Sequence, residues 1–339
     1  MQDSSRTHNP LARTASILIT FDVDPTPEVT IENKKYALVK TIELLEHLKI
    51  PATFFFHARI AEKLGDSLMC LTQRGHEIGC HGLTHGDEEE YDKMPEDMQR
   101  CYLTEATRSL TERAGRPVTS FRGPRVKTSN VTQGILEELG YSADCSVASQ
   151  RLDFVSSNLV KPAWLLAPRS PYHPSAHSAF RRGNRRIWVV PLSAMIVPLI
   201  SSTLYVVGVA AMRSLWAILY REALRTGKPI VYLAHPFEFA PFTEPAARRS
   251  GSLLRRIRTH GLSLRSRFYE KDHNVRFEAN RKLLQYARGL PNVEFLTVSA
   301  YVRTRLANGE AGTSVRARPQ EDRTRPPTAA ERPGPPCNR

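Results

Sequence analysis

The chain has 339 residues, 41% of them hydrophobic, which is enough for a sizeable core and excludes wholesale disorder. Its five cysteines form no CxxC pair, which excludes a disulfide-stapled scaffold, a zinc ribbon and a dithiol redox motif. Lys and Arg outnumber Asp and Glu by 48 to 34, and the net charge of +14 favours a partner that is anionic somewhere.

The opening MQDSSRTHNPLARTAS has no apolar h-region, so a cytoplasmic start is expected, with residues 1–15 as a flexible tail. Ser16–Phe21 reads as a short buried strand running into Asp22 and Asp24. Asn33 can cap a helix that carries Leu38, Ile42, Leu45 and Leu48 on one face. Ala52–Phe56 is a strand, Arg59–Arg74 a helix closed by Gly75, and His76–His81 the next strand. Pro95 opens a helix to Ala114, Ser120–Arg122 is a short strand, and Asn130 caps a helix stopped by Gly140. Ile187–Met212 holds no charged residue and is long enough to span a bilayer. Pro191, Pro198, Gly208 and its serines favour instead two buried strands joined by a loop. Pro229–Ala234 is a strand, Phe277–Arg288 a helix and Val293–Val298 a strand. This alternation predicts a parallel α/β sheet with crossover helices, open or closed into a barrel.

Charge is concentrated between Arg248 and Arg288, with twelve Lys/Arg against three Asp/Glu. The stretch 240–275 is expected to form a basic insertion, and a smaller cluster is Arg181, Arg182, Arg185 and Arg186. Residues 306–339, rich in Pro, Gly, Arg and Thr, are expected to be disordered, because too few large apolar side chains offset the ordering entropy. The span between the tails, 16–305, is expected to form one domain.

In α/β folds the chemistry gathers at the carboxyl ends of strands. Those ends here offer Asp22 and Asp24 (FDVD), His81 and His85 (HGLTH), Arg122 (FRGPR), Asp144 (ADCS) and His235 (LAHPFEF). Each alone has an ordinary structural explanation: a turn acid, a surface Arg, a core His. Their recurrence at successive strand ends does not. Asp22 and Asp24 are two apart and face one space, where two carboxylates repel unless a cation or proton joins them. His81 and His85, at i and i+4, would on a helical turn project together, a metal-ligand spacing.

The order TFDVD, HEIGCHGLTH, SFRGPR and LAHPFEF resembles the polysaccharide deacetylase family with the NodB homology domain, carbohydrate esterase family 4. ADCSV, SPYHPS and VVPLSAM add to the likeness, which covers about Ser16 to Arg305. The resemblance implies a distorted (β/α) barrel of mostly parallel strands with outer helices. It implies Asp22 as general base, Asp24, His81 and His85 as metal ligands, and Arg122 as the residue that orients the base. His235 would be the general acid, with Asp144, or else Asp153, as its carboxylate partner. Pro124 and Arg125 fall where the family binds substrate. The family's adjacent acids are here separated by Val23 and followed by Pro25, a form similar to the intracellular peptidoglycan-deacetylase-like and lipid-linked-sugar-deformylase-like branches. Gly82 replaces the usual Ser/Thr, and Arg125 stands where a Tyr often lends its amide to the oxyanion.

The function so implied is hydrolysis of an N-acyl group, acetyl or formyl, from an amino sugar of a glycan, glycolipid or carrier-linked sugar. One divalent ion is expected, zinc first, with cobalt, manganese or nickel as alternatives. The partner would be that sugar, phosphate- or lipid-linked, with peripheral membrane contact and no specific nucleic acid. Two other readings are hydrolysis of a non-sugar C–N bond on the same fold, and a basic nucleic-acid- or membrane-surface-binding protein without catalysis.

Overall fold

The computed structural model describes residues 14–149, 162–195, 197–241 and 272–307. Most of the expected N-terminal tail, Asp153, most of the basic insertion and nearly all of the C-terminal tail lie outside them, while Ala15, counted in that tail, is the first residue of a strand.

The element order follows the predicted alternation: β1 (Ala15–Val23), α1 (Ile31–Leu48), β2 (Ala52–Phe56), α2 (Ala58–Leu64), α3 (Ser67–Gln73), β3 (Glu77–Cys80), α4 (Glu96–Ala114), β4 (Ser120–Phe121), α5 (Asn130–Glu138) and β5 (Ala143–Asp144). A more irregular stretch follows, with α6 (Pro162–Leu166), the hairpin β6 (Pro174–Ser175) and β7 (Ser178–Arg182), then β8 (Trp188–Val189), β9 (Ala194–Met195) and β10 (Val197–Pro198). Among the described residues, α7 (Ser201–Thr226), β11 (Ile230–Ala234), α8 (His273–Arg288), β12 (Val293–Phe295) and α9 (Val298–Tyr301) follow.

The main sheet runs β11-β1-β2-β3-β4-β5-β8, all parallel, with β12 paired to the start of β1. It curls into a distorted barrel. The gap between β8 and β11 is spanned by irregular chain: Ser193 N donates to Val231 O at 3.2 Å, and Val231 N donates to Ser193 Oγ at 2.9 Å. A serine hydroxyl thus takes the place of a ladder carbonyl at the seam, so the sheet closes without a regular strand there.

β1 is buried along its whole length, as a parallel strand covered on both faces must be. Ile17, Ile19, Phe21 and Val23 pack outward under the helices, while Leu18 joins the inner core with Phe55, Val231 and Leu233. Thr20 and Asp22 share Leu18's parity, and Thr20 Oγ1 donates to Tyr232 O across the strand at 2.7 Å. The two-residue period therefore sends Asp22 to the inner face.

Several boundaries differ from the sequence expectation. Thr30, not Asn33, caps α1: its side chain accepts from Asn33 N at 3.2 Å. The expected single helix over Arg59–Arg74 breaks at Gly65 (φ 61) into α2 and α3. Ser129 caps α5 through a capping box with Thr132. The uncharged Ile187–Met212 stretch is not a pair of strands to its end. Its first half forms β8, β9 and β10, and its second half opens α7, which kinks at Gly208 (φ 80). By length and composition α7 is apolar enough to cross a membrane, and Val206, Val207 and Ile218 on it are exposed.

One buried ion pair sets an acid limit on stability. Lys127, almost fully buried, reaches Glu90 at 2.5 Å. Burial pushes the Glu90 carboxyl up, but Lys127 and Lys93 outweigh it and hold the pKa down at about 2. Because the folded value lies below the unfolded one, near ~4.3, this contribution is complete above that value. It fades as pH falls from there towards 2. Acid unfolding followed by circular dichroism should show this loss, and Lys127→Met should flatten that part of the curve.

Candidate active site

The strand ends converge as the sequence suggested. Arg122, fully buried after β4, donates from Nη1 to Asp22 Oδ1 at 2.7 Å and to Thr20 Oγ1 at 3.0 Å. Its Nε donates to Cys145 O at 3.2 Å, and its guanidinium lies 4.4 Å over the Phe55 ring. Four constraints on one planar group leave Asp22 with a fixed carboxylate orientation.

Asp24 lies one residue beyond β1. Its Oδ1 is 3.3 Å from His81 Nε2 and 3.4 Å from His85 Nε2. One ligand atom from each of the three lies within 4.8 Å of the others. His81 Nδ1–H donates to Arg122 O, so the lone pair of Nε2 faces Asp24. Asp24 Oδ1 is buried and, among the described residues, has no hydrogen-bond partner. Burial pushes the Asp24 carboxyl up, but the His85, His81 and His235 rings outweigh it and hold it well below the usual range. Burial pushes His81 down, and the carboxylates of Asp22 and Asp24 more than reverse that. An ionised acid, two imidazoles and an orphaned oxygen fit a divalent cation, with coordination positions left open as in a catalytic site.

The His pair is not on a helical turn. His81 directly follows β3, and His85 sits in a loop with a left-handed backbone, φ 60. A buried carboxylate builds that loop. Glu89 accepts from Leu83 N at 2.7 Å, Thr84 N at 2.8 Å, His85 N at 2.7 Å and Tyr91 Oη at 2.7 Å. Gly82 (φ +85) is forced: a Cβ there would meet Glu89 Oε1 at 2.3 Å. In the sequence Glu89 is only one acid in an acidic run, and nothing there marks it as a loop anchor. Glu89→Gln turns an acceptor into a donor beneath three backbone N–H groups. Metal affinity is expected to fall about 10–100-fold, as for other residues that hold a ligand in place, and titration with a chromophoric chelator reads this directly.

His57, another residue not singled out by sequence, ends β2 and caps α2 by accepting from Ile60 N at 3.3 Å. Its ring centroid is 6.2 Å from that of His85. Burial, then the His85 and His81 rings, hold its pKa down at about 3, so it is a neutral wall of the site.

His235, after β11, faces the cluster from the other side, with Nε2 3.7 Å from Asp24 Oδ2. Its carboxylate partner is not Asp144. His235 Nδ1 is 3.0 Å from Glu238 Oε1, three residues on in a 3-10 turn. Glu238 also accepts from Ser201 Oγ at 3.1 Å and Tyr205 Oη at 2.8 Å. Burial pushes His235 down, but Glu238, then Asp24 and Asp22, raise its pKa to about 9. Asp144 is fully buried and committed elsewhere, accepting from Thr128 Oγ1 at 2.9 Å, Gln133 Nε2 at 3.0 Å and Ser146 N at 2.9 Å. Burial pushes its carboxyl up against these hydrogen bonds. Ser146 Oγ accepts from Gly123 N at 2.8 Å, so Asp144 braces the loop that carries Arg122.

Pro124 opens a short 3-10 turn in which Arg125 has φ 56. The Arg125 side chain donates to Gly86 O at 3.1 Å and to Asp87 Oδ1 at 2.9 Å, clasping the His85 loop. Of the basic run, Arg276 is buried and donates to Glu238 O at 2.7 Å, and Arg288 donates to Leu48 O at 3.1 Å. Those two arginines brace the fold.

With this geometry in place, the relatives are informative. Residues 12–143 match the family model for polysaccharide deacetylase. Over that stretch, somewhat under half of its length, the chain is similar to the polysaccharide deacetylase family. A peptidoglycan deacetylase of Helicobacter pylori is 24% identical over 108 residues, 32% of this chain and 36% of that protein. The match thus spans about a third of the curated relative's length. A Mycobacterium smegmatis structure designated a polysaccharide deacetylase superposes with a TM-score of 0.56 at 16% identity, covering 94% of this chain and 96% of that one. Puue allantoinase gives 0.54 at 17% identity, covering 88% and 93%. At such identities these likenesses establish the fold, the distorted barrel with outer helices.

Proposed function

We propose that this protein is a divalent-metal-dependent hydrolase that removes an N-acyl group, acetyl or formyl, from an amino sugar. The observation that carries the reading is the paired arrangement of Asp22 on Arg122 beside the Asp24–His81–His85 triad. The family match and the H. pylori relative support a sugar amide as the bond cleaved.

Asp24, His81 and His85 would hold the ion, which supplies Lewis-acid polarisation of the amide carbonyl. Asp22, held by Arg122, accepts the proton of the attacking water. His235, protonated and held by Glu238, donates to the departing amine nitrogen, which is a poor leaving group as an anion. Arg125 and Pro124 lie at the rim beside the His85 loop, where the substrate would enter.

We further propose a cytoplasmic enzyme whose sugar is carried on a phosphate or polyprenyl phosphate. The net charge of +14 supports an anionic carrier, and the exposed Val206 and Val207 of α7 support contact with a lipid surface. The test is incubation of metal-loaded protein with N-acetylated and N-formylated amino sugars, free and carrier-linked, with acetate and formate measured. Release that stops with chelator and returns with metal is expected. Cleavage of cyclic ureides alone, with every amino sugar inert, would replace the sugar with a non-sugar C–N substrate.

A further inference from the structure

A second candidate binding site lies at the opposite end of the barrel. The catalytic side chains gather at the carboxyl ends of the strands. Ser142 precedes β5 and Arg186 precedes β8, so the chain there enters the sheet from its other end. A cavity of about 460 Å³ opens at that end, lined by Ser142, His173, Asn184, Arg185, Arg186 and Trp188, with Val302 and Ala307 from the last turns. The volume falls within the range of small-molecule pockets, ~300–1,000 Å³, and suits one or two sugar rings.

Its chemistry is specific. The His173 and Trp188 rings pack against each other with centroids 3.8 Å apart and planes tilted by 40°. His173 Nδ1–H donates to Ile187 O at 3.2 Å, which fixes the imidazole against one side of the indole. Trp188 remains half-buried, with part of it open to the cavity. Arg185 is held by Glu137 at 2.9 Å and donates to Asn130 O at 3.0 Å. The Glu137 carboxylate also accepts from Arg186 N and Ile187 N. The exposed Arg186 guanidinium has no hydrogen bond or ion pair among the described residues, and no acid lines the cavity. Arg181 and Arg182 on the neighbouring β7 add positive charge.

We propose that this cavity binds an anionic sugar, a pyranose bearing a phosphate or a carboxylate. The apolar C–H face of the ring packs on the Trp188 indole, the Asn184 amide meets a hydroxyl, and Arg186 takes the negative group. A purely aromatic pocket would not need the guanidinium, and a bare anion site would not need the indole. The site shares no residue with the catalytic cluster, so it stands or falls independently of the reaction proposed above.

The experiment uses the protein's own reporter. Trp164 and Trp216 are buried, so Trp188 is the indole that a ligand can reach. Full-length protein is titrated with N-acetylglucosamine 1-phosphate, glucuronic acid, N-acetylglucosamine or inorganic phosphate, and tryptophan emission is followed. Saturable quenching by the first two is expected, with the neutral sugar and inorganic phosphate each at least about tenfold weaker. Arg186→Glu, at an exposed position, should weaken both sugar acids by about tenfold or more with an unchanged circular dichroism spectrum. The same titrations on His81→Ala/His85→Ala should keep the quenching, which separates this cavity from the catalytic site. Absence of quenching, equal quenching by inorganic phosphate, or quenching indifferent to Arg186→Glu would overturn the proposal.

Discussion

Asp22→Asn is expected to lower kcat by about 10²–10⁴-fold while metal content stays at one ion per chain. Asparagine is nearly isosteric with aspartate, so the hydrogen bond from Arg122 can largely survive on its Oδ1, but an amide cannot accept a proton from water. Asp24, His81 and His85 are untouched, and their ligand atoms converge without Asp22. The substitution also leaves the buried Arg122 without its anion, so some loss of thermal stability should accompany the loss of rate. The contrast is His81→Ala/His85→Ala, which should lose metal and turnover together. Atomic spectroscopy and single-substrate kinetics on the two variants separate the roles. Near-normal kcat in Asp22→Asn would remove Asp22 as the base, and full metal content in the double variant would show that the ligand set is wrong.

The parts of this site that could be read from the sequence are those fixed by strand parity and order. Ser16–Phe21 had to be buried on both faces, and a two-residue period then sends Asp22 and Asp24 to the same side. The ends of β3, β4 and β11 follow from short apolar runs bounded by polar residues, so His81, Arg122 and His235 could be placed by chain order alone. What escaped are contacts set by loops. Glu89 acts through backbone N–H groups of residues four to six positions earlier, and no periodicity marks a loop that folds back on a carboxylate. Glu238 belongs to the LAHPFEF run, but its reach to His235 depends on the 3-10 turn that begins at Pro236. Asp144 does sit at a strand end, but it faces Thr128, Gln133 and Ser146 instead of His235. Strand order says which end of the barrel a residue occupies, not which neighbour it turns towards. The uncharged 187–212 stretch misled in the same way, since hydropathy reports burial or lipid contact and cannot decide where strand gives way to helix.

The second large effect is expected at His235. His235→Ala should bind metal normally and lower kcat by about 10²–10⁴-fold, because the amine would have to leave without a proton. A diagnostic follows from the residue behind it. Protonated His235 is the active form, so activity should be lost as pH rises through its pKa, about 9 without a cation at Asp24 and lower with one. Burial alone would push that value down, and the Glu238 carboxylate is the first of the charges that reverse it. A cation held by Asp24 weakens the contribution of that acid, while Glu238, on the far side of the ring, keeps its own. Glu238→Gln should therefore move the basic limb of the kcat/KM profile to lower pH and leave metal affinity unchanged. At neutral pH its rate loss should be smaller than that of His235→Ala, since a neutral imidazole in place can still be protonated. Ser201→Ala, which removes one of the hydroxyls that hold Glu238, should shift the limb less, because Tyr205 still anchors the other oxygen. A basic limb that stays put in Glu238→Gln would assign the proton to another group, and the general acid would then have to be sought outside the His235–Glu238 pair.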